Sequence, residues 1–225
     1  MAALDKVKIL VLGDSGVGKT SLTHLIAHNE AIASPGWTVG CSVEVKLHEF
    51  REGYPQQRSV FVELWDVGGS SSHRNTRCIF YTPVHGVLLV HDLTNSKSQR
   101  NLNKWLTEVL AHESGGGKAP SDLDPEMMLG SSQLPMLVVG TKLDVAGFRN
   151  GRPGRGLTFA EEVGADELTL DCRSPRSLAA GSSAAVKLSR FFDRVIEGKF
   201  PVKDSANLRR TPYSSPYSSF RHVSS

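Results

Sequence analysis

Eight consecutive residues, Gly13-Asp14-Ser15-Gly16-Val17-Gly18-Lys19-Thr20, fit the pattern G-x-x-x-x-G-K-[ST]. The residue types suit an anion. Glycines let successive backbone N–H groups turn inward, where a Cβ would block the approach of phosphate oxygens. A helix starting at the end of such a loop adds the positive end of its dipole. Lys19 is placed to reach β- and γ-phosphates, and the Thr20 hydroxyl to ligate Mg²⁺, with Ser21 next to it at the same helix start.

Two further clusters extend this chemistry. Thr141-Lys142-Leu143-Asp144 follows an apolar run directly. A carboxylate there accepts two hydrogen bonds from guanine N1–H and the exocyclic amine. Adenine has no such donor pair, so the site would discriminate strongly against it. The aliphatic stem of Lys142 would lie along the base. Asp66-Val67-Gly68-Gly69 also follows a strand-like run. Asp66 is suited to hold a Mg²⁺-bound water, and the Gly69 N–H to meet a γ-phosphate. Thr38, in the loop after the first helix, would supply a second hydroxyl. Two hydroxyls, two phosphate oxygens and two waters make the six oxygens that Mg²⁺ takes.

These loops need a scaffold, and the hydrophobic pattern supplies one. Val7–Leu12 is a short, mostly apolar run, and Leu22, Leu25 and Ile26 recur at helical spacing within an expected helix 19–29. Cys41–Phe50 and Arg58–Trp65 each alternate, through Val43, Val45 and Leu47 and through Val60, Val62 and Leu64. A turn with Gly53 and Pro55 joins them, which predicts an antiparallel hairpin. Gly86–His91 and Pro135–Gly140 are continuous apolar runs, the mark of strands buried on both faces. Leu102, Trp105, Leu106, Val109 and Leu110 mark one helix face, and Leu188, Phe191, Phe192, Val195 and Ile196 another. The expected fold is α/β, with a mostly parallel sheet, helices on both faces and ligand loops at the strand C-terminal ends.

Composition narrows the class. The chain has 225 residues, of which 39% are hydrophobic and 22% charged, as in an ordinary globular protein. A net charge of +3 is too small to argue for nucleic acid. Three cysteines, Cys41, Cys78 and Cys172, form no C-x-x-C pair and suit a reduced, cytoplasmic compartment. No run is long and apolar enough to span a membrane. Residues 1–200 are read as one domain, with a flexible insertion at about 113–134 that carries Gly115-Gly116-Gly117. Residues 201–225, rich in Ser, Pro, Tyr and Arg, are read as a disordered basic tail.

Taken together, the motifs resemble those of the Ras-like small GTPases, most closely the Rab branch. The phosphate loop, Thr38-Val39-Gly40, Trp65-Asp66 and Thr141-Lys142-Leu143-Asp144 carry the likeness. Trp65-Asp66-Val67-Gly68-Gly69-Ser70, His91-Asp92-Leu93-Thr94-Asn95 and Leu178-Ala179-Ala180-Gly181-Ser182-Ser183 resemble the atypical Rab-like protein three subfamily. The resemblance spans about residues 5–198. It implies a P-loop GTPase fold of six strands, one antiparallel, binding GTP or GDP with Mg²⁺. It implies a regulatory role, extending to the handling or lipid modification of other small GTPases, with effectors or regulators of such proteins as partners.

Departures from the family pattern shape the functional expectation. The water-orienting glutamine is replaced by Ser70, which predicts slow hydrolysis. An aromatic residue edge-on to guanine is replaced by Ala31, and Trp37 is the nearest ring that could substitute. The S-A-K loop of the family corresponds to Asp171-Cys172-Arg173. No cysteine follows Cys172, so no prenyl anchor or other stable lipid anchor is expected. Gly68-Gly69 followed by Ser70-Ser71-Ser72 predicts a loosely packed loop that a partner would order, a second copy of the chain being one candidate. Two other readings are a scaffold in which nucleotide is only structural, and a P-loop ATPase or nucleotide kinase, against which Asp144 argues.

Overall fold

The computed structural model describes residues 5–113, 134–146 and 158–201. Its six strands are β1 (Lys6–Leu12), β2 (Cys41–Phe50), β3 (Arg58–Val67), β4 (Gly86–Asp92), β5 (Met136–Thr141) and β6 (Asp166–Thr169). They form one sheet in the order β2-β3-β1-β4-β5-β6. Only β2 and β3 pair antiparallel, with Cys41 opposite Val67 and Phe50 opposite Arg58. The expected α/β sheet and hairpin are both present. The helices are α1 (Lys19–His28), α2 (Ser96–Arg100), α3 (Leu102–Glu113), α4 (Leu143–Ala146), α5 (Phe159–Glu162) and α6 (Ser183–Lys199). The expected insertion at 113–134 and tail at 201–225 fall almost wholly outside the described residues.

The central strands are mostly apolar because both of their faces are covered. Val7, Ile9 and Val11 of β1 join Leu22, Leu25 and Ile26 of α1 and Phe191, Phe192, Val195 and Ile196 of α6 on one side. Leu10 and Leu12 point the other way, against Leu102, Trp105, Leu106 and Val109 of α3. Each fully buried side chain of this size contributes ~1.5–3 kcal/mol of transfer free energy, so both layers are needed to hold the sheet. Short ends matter as well. Asn29 closes α1 in the left-handed conformation, its N–H bonded to the Leu25 carbonyl.

Two elements have features that the pattern did not specify. The alternation of β2 is right, but its apolar face, Val43, Val45 and Leu47, is exposed. The opposite face turns inward and buries His48 and Phe50. β6, Asp-Glu-Leu-Thr, was missed by pattern because only Leu168 of its four residues is buried.

The segment after Gly69 forms two 3₁₀ turns, Ser71–His73 and Arg77–Phe80. It is anchored by a buried ion pair. The Arg77 guanidinium donates to both carboxylate oxygens of Glu108 on α3, at 2.7 and 2.6 Å. Tyr81 donates to Glu108 at 2.9 Å, and Arg77 lies 3.9 Å from the Trp105 ring centroid. Burial works against the charge on Arg77, but Glu108 and Tyr81 outweigh it and hold its pKa above the ordinary arginine value. Removing one partner strands a buried charge, which is the costly case. Glu108→Ala is therefore expected to destabilise the fold by roughly 3–5 kcal/mol, measured by urea unfolding of both proteins.

Candidate functional site

The ends of β1, β3, β4 and β5 meet at one edge of the sheet, and the loops leaving them build the site. The turn after β1 is packed against β4. A Cβ at Gly13 would lie 2.1 Å from the Val90 carbonyl oxygen, so only glycine fits there. Gly18, at φ 97°, then feeds the chain into α1. Lys19 is buried and folds back over this turn, donating to the Gly13 and Asp14 carbonyls at 2.9 and 3.0 Å. Burial lowers its pKa, opposed by the carboxylates of Asp66 and Asp14. It is an ammonium with few counter-charges, poised for an anion.

A cavity of about 530 Å³ opens above this turn. Ser15, Gly16, Gly18, Lys19, Thr20 and Ser21 line one side, and Trp37, Thr38, Gly69, Ser70 and Lys142 the other. The Val17 side chain is buried in the core. Asp14 does not face the cavity with its carboxylate. That group accepts from Asn101 Nδ2 at 2.7 Å and from Trp105 Nε1 at 3.0 Å, locking the turn to α3.

Thr20, Thr38 and Asp66, separated in sequence by up to 46 residues, come together here. Both hydroxyls donate to Asp66 Oδ2, at 2.5 and 3.0 Å, and lie 3.0 Å from each other. Asp66 Oδ1 is buried with no hydrogen-bond partner. Burial raises the Asp66 pKa, opposed by Thr20, Lys19 and Thr38. An orphaned carboxylate oxygen beside two hydroxyls is a donor set that fits a hard, water-carrying cation. Gly69 sits directly on the phosphate-loop turn, with room for no side chain. Ser70 lines the cavity, but its hydroxyl accepts from the Ser72 N–H within its own turn.

The third cluster adjoins this cavity, sharing Gly18, Ser21, Pro35 and Lys142 with it. A smaller cavity of about 240 Å³ is lined by Gly18, Ser21, Ile32, Ala33, Pro35, Thr141, Lys142, Asp144, Val145, Asp171, Cys172 and Arg173. The Thr141–Asp144 and Asp171–Arg173 loops thus lie against one cavity. Lys142, at φ 58°, reaches back to Asp92 Oδ2 at 2.6 Å. Burial opposes the charge on Asp92, but Lys142 and Thr94 prevail and lower its pKa. Asp171 Oδ1 accepts from the Arg173 N–H at 2.8 Å, which shapes the loop. The Cys172 thiol is pushed up to about 12 by burial, then by Asp171 and Asp144, so it is a neutral wall. Leu143 contributes through its backbone, donating to the Leu170 carbonyl at 3.2 Å. Ala31 lies outside this cavity, and Trp37, 89% exposed, lines the other one. The apolar wall is Ile32, Ala33 and Pro35 instead of a ring.

Several contributors escape a motif search. Asn101 and Trp105 look like helix residues, and Asp92 like a strand end. Their roles depend on contacts 50 to 91 residues away in the chain.

Comparison with known proteins agrees with this geometry. Residues 8–119 match the family described as Ras of Complex, Roc, domain of DAPkinase. The chain is 52% identical over 210 residues to Rab-like protein 3 of Xenopus laevis, covering 89% of each chain. It is 49% identical over 221 residues to Rab-like protein 3 of Bos taurus, covering 94% of this chain and 93% of the relative. Against Rab-like protein 3 of Mus musculus the identity is 51% over 217 residues, 92% of each.

The contact of Gly69 with the phosphate-loop turn is directly testable. An added Cβ would lie 2.5 Å from the Ser15 nitrogen and 2.6 Å from the Gly13 carbonyl oxygen. Gly69→Ala must push the two loops apart, at an overpacking cost of about 1–3 kcal/mol. Faster amide hydrogen exchange is expected over residues 69–76 and 13–16, with a lower urea midpoint; unchanged exchange would show that the contact is not a constraint.

Proposed function

The chain belongs to the Rab-like protein 3 family of small GTPases, and on that premise we propose that it is a slow, GTP-responsive regulatory switch. Membership implies guanine-nucleotide binding. The single observation carrying the switch reading is the convergence of Thr20, Thr38 and Asp66, with Asp66 Oδ1 left without a hydrogen-bond partner. Thr38 and Gly69 come from different loops, and both line the cavity that would take the γ-phosphate. A ligand that carries that phosphate ties the two loops together, and one that lacks it does not.

In this reading the phosphate-loop N–H groups and Lys19 bind the phosphates, and Thr20, Thr38 and, through water, Asp66 hold Mg²⁺. The ion, when bound, offsets phosphate charge. Asp144 reads guanine, Lys142 covers the base, and Cys172 with Asp171 closes its far side. The glutamine-to-serine change leaves no long amide to orient the attacking water, and the Ser70 hydroxyl is engaged with Ser72. Hydrolysis is accordingly slow. The aliphatic wall of Ile32, Ala33 and Pro35 gives the base less than an aromatic ring would, so release competes with hydrolysis in resetting the site. Effector or regulator proteins would dock on the exposed apolar residues Val39, Val43, Val45 and Leu47, which run from the Thr38 loop along β2.

Base choice and hydrolysis are checked separately. Asp144→Asn should weaken GTP binding by about 3 kcal/mol, or more than ~100-fold, and admit xanthosine triphosphate. Calorimetry with both nucleotides measures this; unchanged GTP affinity would remove Asp144 from the base site. Ser70→Gln should raise single-turnover hydrolysis about tenfold, ~1.4 kcal/mol of barrier. An unchanged rate would mean that water orientation does not limit the reaction.

A further inference from the structure

Three polar side chains outside the nucleotide site lie close together where α1 meets β2. His24 and His28 are four residues apart on α1 and so share a helix face. Their rings stand 4.5 Å apart between centroids, tilted by 43°. Glu44 faces them from β2, with one oxygen 2.9 Å from His28 Nε2 and the other 3.7 Å from His24 Nδ1. One ligand atom from each of the three lies within 4.8 Å of the others. Among the described residues no lysine or arginine pairs with Glu44. Among the described residues, its ion-pair partners are the two imidazoles.

We propose that His24, His28 and Glu44 form a binding site for a zinc-class divalent transition ion that clips α1 to β2. Two imidazoles and a carboxylate are the His₂Glu donor set of tetrahedral zinc, with the fourth position left to water. At Zn–N and Zn–O lengths of ~2.0–2.2 Å, tetrahedral ligands stand roughly 3.3 Å apart. The two histidine-to-Glu44 separations bracket that value, and rotation of these partly exposed side chains would bring the three ligand atoms onto one ion. The side chains are 26%, 47% and 30% exposed for His24, His28 and Glu44, which leaves an entry path from solvent. Mg²⁺, which demands near-octahedral oxygen coordination, finds a single carboxylate here and is rejected. The site is chemically distinct from Thr20, Thr38 and Asp66. Its position gives it a structural consequence. His28 ends α1 and Cys41 begins β2, so an ion here pins together both ends of the loop that carries Thr38.

The test is zinc calorimetry on the full chain in Mg²⁺-containing buffer. His24→Gln, His28→Gln and Glu44→Gln are compared with wild type, and Cys41→Ser and Cys78→Ser serve as thiol controls. One zinc should bind wild type and both cysteine variants equally, and each ligand variant should bind at least about tenfold more weakly. Melting curves in EDTA should be nearly unchanged for the ligand variants. A second measurement needs no substitution: zinc should protect His24 and His28 of wild type from diethyl pyrocarbonate, read by peptide mass. If zinc does not protect these two histidines, or if the ligand variants bind zinc as wild type does, the cluster is a helix-to-strand hydrogen bond and the proposal fails.

Discussion

The hydroxyl of Thr141 is the contact on which the site depends most. It sits at the C-terminal end of β5, donates toward the Val17 carbonyl of the phosphate loop, and lies 3.0 Å from the carbonyl of His91 at the end of β4. Parallel strands deliver their loops to one edge, but nothing in sheet pairing holds those loops to each other. A buried hydroxyl whose single proton is shared by a carbonyl of the phosphate loop and a carbonyl of β4 does so. Thr141 is 1% exposed, so water does not replace this contact, and loss of the hydroxyl would remove the donor that joins the phosphate loop to the sheet. The anion turn and the Thr141–Asp144 loop are thereby set at a fixed spacing.

Around this contact the charges are arranged by depth. Exposed pairs such as Arg194 with Asp166 are worth only ~0–1 kcal/mol and do little to define the fold. The pair of Arg77 with Glu108 is buried, doubly bonded and supported by Tyr81, so it fixes the segment after Gly69 on α3. Lys19 and Asp66 are the opposite case. Both are buried, each has its charge disfavoured by that burial, and neither is fully matched by protein partners. Groups held in that condition lose stability unless a ligand completes them, which is the usual trade at a functional site.

Much of this was legible in the sequence, and the reasons are physical. β1, β4 and β5 are buried on both faces, so they appear as mostly apolar runs. The hairpin showed itself through alternation and a Gly-Pro turn. The phosphate-loop residues and the Thr141–Asp144 run are contiguous, and contiguous motifs survive without a structure. β6 was invisible because a four-residue edge strand with one buried side chain has no period to detect. The face of β2 was readable but not its direction, since the apolar stripe of Val43, Val45 and Leu47 looks outward. The side-chain bonds of Asp14 could not be read from its place in the loop: its carboxylate is held by Asn101 and Trp105. No local pattern encodes a bond between Asp14 and Trp105, 91 residues apart.

That same bond gives the molecule an optical property. The chain has three tryptophans. Trp37 is almost wholly in water, and Trp65 is half-buried beneath the ammonium of Lys8. Trp105 alone has its indole N–H on the phosphate-loop turn and a guanidinium over its ring. The excited state of indole is sensitive to nearby charge and to the loss of a hydrogen-bond acceptor. Any rearrangement of the turn that withdraws Asp14 therefore alters the emission of a buried fluorophore, and the protein reports on its own phosphate site without a label.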